Sequence, residues 1–400
     1  MGVIRLRKNR NLAIIVVIFV IMAAIAVVDN TKGIFIPVFK ESFNANNTSM
    51  GIMLSSCSLG YIIFTYVGGI LCEKLGQRKV ILLGLTIIIG STVMIASSNI
   101  YIMLLVGMFL LNMGIAFGCI AINTLIPALF VAIQAIMMNI AHCSYGFGST
   151  IGQFTIGRIL DSGIGWRSVF YGIAAMFVIV VLVFLLIKIP SIESEHKETG
   201  EKIKNKDVFK EKYVYIYAFA LGTYIFAEMG MSNWIVNFLM ESYNFTSSIG
   251  ATFLSVFFLL LTIGRLFGGF VAEKFGYLQS VIASMAIAIV LLIIALVVGN
   301  KALILICITG LFFAITYPTI VATISKVFKE NTAYITGVIL TGASSISMIL
   351  NLLMGRLNDV IGTTMTFYLI PTSLTVSMIF VIIIYRGKHT AFQRGGKNIG

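Results

Sequence analysis

The sequence predicts an all-α polytopic membrane protein: twelve spanning helices in two similar halves, with both termini cytoplasmic. Three observations carry this. Of 400 residues, 59% are hydrophobic and 11% charged, whereas a soluble domain carries about 25% charged residues. The cations collect in short loops and tails between apolar runs. The stretch Gly68–Lys79 recurs half a chain later.

A membrane helix needs about 20 apolar residues. Twelve runs qualify: 12–38, 49–71, 80–97, 101–127, 137–159, 168–189, 213–238, 249–271, 279–299, 302–325, 334–355 and 365–385. The first imitates a signal peptide, with basic Arg5–Arg10, apolar Leu12–Met22 and a small-residue Ala24-Ile25-Ala26. The apolar run continues through Asp29 to Pro37, and cleavage would leave an odd number of spans. We read an uncleaved first helix. The division between spans 4 and 5 is drawn least sharply, because Leu125–Ile140 is apolar almost throughout. Ser191–Lys212, with six lysines and six acids, is the one long polar segment. It divides the chain into a first bundle (1–190), a cytoplasmic linker (191–212) and a second bundle with a short basic tail (213–400).

Orientation follows from lysine and arginine. With the N-terminus inside, the cytoplasmic segments hold 21 of the 28 basic residues. The outer loops hold Lys40, Arg167, Lys301, Arg356 and Arg158. That asymmetry places both termini inside. It also explains the net charge of +13 without nucleic acid. The partners expected are the lipid bilayer and a small solute. Cys57, Cys72, Cys119, Cys143 and Cys307 lie in or beside apolar runs without metal spacing, so they read as packing residues. There is no nucleophile–base pair, metal set or phosphate loop, so neither an enzyme nor a cofactor is expected.

Repeats fix the two halves. Gly68, Gly69, Glu73, Lys74 and Gly76 are matched by Gly268, Gly269, Glu273, Lys274 and Gly276, an offset of 200. Gly157-Arg158-Ile159-Leu160-Asp161 is matched by Gly355-Arg356-Leu357-Asn358-Asp359, an offset of 198. The first loop resembles the signature G-x-L-x-D-R-x-G-R-R/K of the major facilitator superfamily, with Glu73 at the aspartate and Lys74 at the first arginine. The resemblance implies two six-helix bundles around a central cavity, alternating access, and a monomer. It also implies that Gly69, Glu73, Lys74, Gly76, Arg78, Glu273 and Lys274 form gating loops, whose acids latch the cytoplasmic side. The residues alone also fit a charged turn that fixes topology: cations suit helix C-termini and the inner face, and Gly76 suits a tight turn.

An ionisable side chain in the bilayer core costs several kcal/mol, so each is a functional candidate. Asp29 lies in span 1 with Lys32 one turn on, Glu228 in span 7, His142 early in span 5, and Arg265 near the inner end of span 8. Burial raises a carboxylate's pKa toward neutrality, which suits proton carriage. Lys32 at i+3 from Asp29 opposes that rise and allows a structural ion pair instead. Glu228 has no partner nearby in sequence. Arg265 reads as a structural residue snorkelling to the inner interface. By resemblance, spans 1 and 7 are equivalent and line the cavity.

Local stretches narrow the branch. Met138–Gly148 resembles the N-x-x-H-x-x-Y-G-x-G start of the fifth helix in the fucose/galactose/glucose:proton symporter group. Glu228 followed by Trp234 resembles that group's seventh helix. Where the group has a proline after the helix 5 glycines, Gln153 stands here. The resemblance implies proton-coupled uptake of a sugar or similar polar solute, with Asp29 or Glu228 carrying the proton. Sugar hydroxyls need short polar side chains and an aromatic face. Asn30, Asn112, Asn123, Asn139, Gln153, Asn237 and Asn351 lie within apolar runs, where such residues also serve as interhelical glue. The solute-contact candidates are Asn30, Asn123, His142, Trp234 and Asn237. The alternative is a proton-driven exporter of a lipophilic or amphipathic compound, with methionines and phenylalanines making an adaptable cavity. Short termini suggest a bacterial cytoplasmic membrane.

Overall fold

The structure is a computed structural model that describes residues 8–130, 134–187, 211–328 and 332–387. Apart from Glu211 and Lys212, the linker expected over 191–212 lies outside the described residues. The described secondary structure is helical: α1 (Lys8–Asn30), α2 (Lys32–Ser42), α3 (Asn47–Leu75), α4 (Gln77–Ala96), α5 (Tyr101–Leu129), α6 (Gln134–Asp161), α7 (Trp166–Leu186), α8 (Lys212–Tyr243), α9 (Ser247–Phe275), α10 (Tyr277–Val298), α11 (Ile304–Phe313), α12 (Thr316–Val327), α13 (Thr332–Ile361), α14 (Thr363–Thr366) and α15 (Leu369–Gly387).

Eleven stretches among the described residues are long and apolar enough to cross a membrane. Each contains or overlaps one of the predicted spans. Three are interrupted helices: α1 with α2, α11 with α12, and α14 with α15. The exception is α6, predicted as span 5. At 28 residues it is long enough to cross. Its His142, Ser144, Ser149, Gln153 and Arg158 make it less apolar than the others, and two of these build the site described below.

The chain divides into two compact units, Met1–Ala45 with Ser56–Glu195, and Asn46–Ser55 with His196–Gly400. The first turns of α3 thus group with the second unit rather than with the first 190 residues. In the first unit α6 lies directly along α1. A Cβ at Gly148 would overlap the Ala23 backbone, and one at Gly152 would stand 3.0 Å from Val27 Cα. Small residues permit such contact where lipid gives no hydrophobic drive for helices to associate. The same unit is closed by Phe35, Phe39, Trp166 and Phe170 stacked between α2 and α7.

In the second unit α8 is flanked by α13 and α15. Ser373 and Ser377 of α15 donate to the Thr223 and Ala220 carbonyls of α8 at 2.9 and 2.6 Å. Asp359 near the end of α13 accepts from the Asn47 and Thr48 N–H groups at 2.9 and 2.7 Å. It thereby satisfies donors that a helix start leaves open.

The repeated loop has one geometry in both copies. Gly76 and Gly276 take φ of +82° and +92° between α3 and α4 and between α9 and α10, a backbone that side-chain-bearing residues rarely adopt. Gly68 packs against Phe117 and Ile120, whereas a Cβ at Gly69 would meet nothing within 4 Å. Of the two glycines, Gly68 is the one that lets a neighbouring helix approach closely.

Candidate functional site

The first unit's polar centre is built on a break in its first helix. α1 ends at Asn30 and α2 begins at Lys32. The Ile34 N–H donates to the Thr31 carbonyl at 3.0 Å, a tighter three-residue bond. Pro37 lacks an N–H to continue the ladder. The Asn30 carbonyl, at the end of α1, accepts from Gln153 Nε2 of α6 at 3.2 Å. Gln153 is fully buried, and its own Oε1 has no partner among the described residues.

Asp29 and Lys32 flank this break. Lys32 Nζ donates to Asp29 Oδ1 at 2.5 Å and to Asn112 Oδ1 of α5 at 2.9 Å. The Tyr145 hydroxyl of α6 donates to Asp29 Oδ2 at 2.6 Å. Asn30 Nδ2 donates to Ser149 Oγ at 2.8 Å and to the Tyr145 oxygen at 3.0 Å. Side-chain exposure is 12% for Lys32 and 20% for Asp29. Each carboxylate oxygen therefore has a charged or hydroxyl donor, as a buried charge requires.

The second unit has a parallel arrangement. Glu228 of α8 pairs with Arg265 of α9, Nη2 to Oε1 at 3.1 Å. The Tyr224 oxygen stands 2.6 Å from Glu228 Oε2 and 2.6 Å from the Phe313 carbonyl. Its single proton serves one acceptor at a time. Phe313 ends α11 at another helix interruption. Asp29 and Glu228 are 199 residues apart, within one residue of both repeat offsets. Each half thus places an acid, a cation and a tyrosine beside an interrupted helix, where freed backbone groups and charge can meet a solute or ion.

Glu228 has no partner near in sequence, yet the packing of α9 brings one to it. Arg265 is that partner, rather than a residue extended to the interface.

The remaining candidates are dispersed. Asn123 keeps a buried Oδ1 without a partner among the described residues. His142 lies one turn before Tyr145 on α6, on an exposed face. Trp234 is 1% exposed, and its Nε1 has no partner among the described residues, so its ring offers no open stacking face. Asn237 Nδ2 donates to Asn47 Oδ1 at 3.3 Å. Glu73, Lys74, Glu273 and Lys274 are exposed, and Arg78 Nη2 donates to the Leu185 carbonyl at 3.3 Å. The residues not singled out as contacts were Tyr145, Asn112, Ser149, Gln153 and Tyr224. Three of them carried a signal: Asn112 and Gln153 are amides in apolar runs, and Tyr145 is the tyrosine of the helix 5 motif.

The sequence profile described as Major Facilitator Superfamily matches residues 14–347 and 223–397. The chain belongs to the Major Facilitator Superfamily. It is therefore a multi-span membrane transporter rather than an enzyme. It is 25% identical over 406 aligned residues to the L-fucose-proton symporter of Escherichia coli K12, covering 91% of this chain and 90% of that one. It is 23% identical to a glucose/galactose transporter of Brucella abortus, covering 84% and 85%. Among solved structures, a point mutant of the nucleoside transporter NupG superposes with a TM-score of 0.80 at 16% identity, over 94% of this chain and all of that one. That likeness speaks to the fold alone.

Proposed function

We propose that this superfamily member is a secondary carrier that moves a sugar or related small polar solute together with a proton, by alternating access. In this reading it has twelve spans, with α6 as the fifth, and both termini are cytoplasmic. It works as a monomer in a bacterial cytoplasmic membrane. The sugar-transporting relatives support the solute class. The observation that carries the reading is Asp29, held between Lys32 and Tyr145 at the break in the first helix. Its partners are an ammonium and a phenol, both able to re-pair when the carboxylate takes a proton. Glu228 also has a cation and a phenol as partners, but its side chain is 9% exposed against 20% for Asp29, so we assign proton carriage to the more accessible Asp29 and give the Glu228 pair the shaping of its own bundle. Asn30, Asn112 and Tyr145 supply the donors and acceptors that hydroxyls need. A lipophilic exporter gains no support from a centre made of amides, hydroxyls and charge.

The test is purified protein in liposomes with an internal pH dye, given hexoses, deoxyhexoses and their acids from outside. A solute of this panel should acidify the lumen. Asp29→Asn should abolish the acidification while solute-for-solute exchange persists. If no sugar or sugar acid gives a signal from folded protein, the reading fails.

A further inference from the structure

We infer that the solute moving with the Asp29 proton is a monoanionic polyhydroxy acid, a sugar bearing one carboxylate, and that Lys32 is its counter-charge. The inference rests on the proton-symport reading and deepens it. Its basis is a charge count in the first unit.

The Asp29–Lys32 pair is neutral as it stands. The titratable groups around it are the Cys57 thiol and Tyr61 phenol from α3, the Cys119 thiol from α5 and the Tyr145 phenol from α6. His142 lies one turn away on the exposed face of α6. Thiols and phenols are uncharged at neutral pH. Among the described residues, the ion pair that Lys32 makes is with Asp29 and its other hydrogen bond is to the neutral Asn112. A proton added to Asp29 therefore leaves one positive charge, the Lys32 ammonium. It is 12% exposed and then held only by the neutral Asn112 carbonyl and the protonated acid.

A buried cation without a counter-charge is strongly disfavoured. A solute carboxylate at Lys32 removes that cost. Two unit charges about 4–6 Å apart, at an effective dielectric of about 20, couple by on the order of 100-fold or more. Proton and anion thus promote each other's binding. An uncharged sugar would have to produce the same linkage through hydrogen bonds alone.

The cycle is balanced. A proton leaves outside water for Asp29. Lys32 exchanges the Asp29 carboxylate for that of the solute. Solute and proton both leave inside, Lys32 returns to Asp29, and no net charge crosses.

The experiment is the same liposome assay, run with glucuronate and galacturonate against glucose, galactose and fucose, under potentials set with potassium and valinomycin. Uronate should acidify the lumen at a rate independent of potential. Lys32→Gln should lower that rate at least 10-fold, and Lys32→Arg, which keeps the charge, should retain more of it. Acidification by uncharged hexoses that grows with an inside-negative potential, with uronates silent, would overturn the inference and leave the sugar–proton reading standing. Uronate transport unaffected by Lys32→Gln would overturn it too. Silence to every solute from folded protein would overturn both.

Discussion

Asp29 and Glu228 occupy matching places in the two halves, yet their cations differ in kind and reach. Lys32 is three residues on, across the break between α1 and α2, so the sequence shows the pair directly. Arg265 is 37 residues from Glu228 on another helix, and only the packing of α8 on α9 brings them together. Span-by-span reading therefore found both acids but only one ion pair. Glu228 is 9% exposed and Arg265 33%, so their pair is partly screened. Removing one partner of a buried pair costs about 3–5 kcal/mol, and an exposed pair is worth under about 1. We expect Glu228→Gln to cost about 1–3 kcal/mol between those limits, read as a lowered thermal midpoint in detergent. Glu228→Gln combined with Arg265→Gln should recover part of the loss, because no charge is then stranded. Equal losses in the single and double variants would show that the pair does not act as a unit.

The helix interruptions are the element-scale feature that the sequence concealed. Apolar length located each span, because a bilayer demands that length whatever the helix does inside. It did not show the stop at Thr31. The nearest proline, Pro37, lies six residues on, and the carbonyl freed at Asn30 is satisfied from α6. Gln153 stands where the symporter group has proline, and the structure gives it this task. Gln153→Leu should leave a buried carbonyl unpaired, at a cost of about 1–3 kcal/mol. Because the break carries Asp29 and Lys32, the solute KM should rise more than the maximal rate falls. An unchanged KM alongside a lowered thermal midpoint would confine Gln153 to packing. The contact of α6 with α1 gives a second test at this scale. Gly148→Val must displace the Ala23 backbone and should abolish folded protein, whereas Gly172→Ala, whose Cβ meets nothing within 4 Å, should fold normally. Size-exclusion profiles of the two variants decide it.

At the scale of the whole molecule, the repeated loop raises a question that charge patterning and geometry answer differently. Both copies share a glycine at positive φ and an exposed acid–lysine pair. Only the first continues with Arg78 and Lys79; the second has Leu278 and Gln279. If the loop merely fixes topology, the cations matter and Glu73 does not, since acids contribute little to orientation. If it latches a gate, Glu73 matters, because losing a contact made in one conformer shifts the population and lowers apparent affinity by the lost fraction. Cysteines placed at Lys74 and Lys301 separate the two readings when probed with a membrane-impermeant maleimide. In the proposed topology Lys301→Cys should label in intact cells and Lys74→Cys only after permeabilisation. Glu73→Gln should leave that labelling pattern unchanged while lowering apparent affinity for external solute several-fold, and Glu273→Gln should do so less. Wild-type kinetics in Glu73→Gln, with labelling inverted by Arg78→Gln and Lys79→Gln together, would reduce the loop to a topological device. The coupling acid would then have to govern access without this latch.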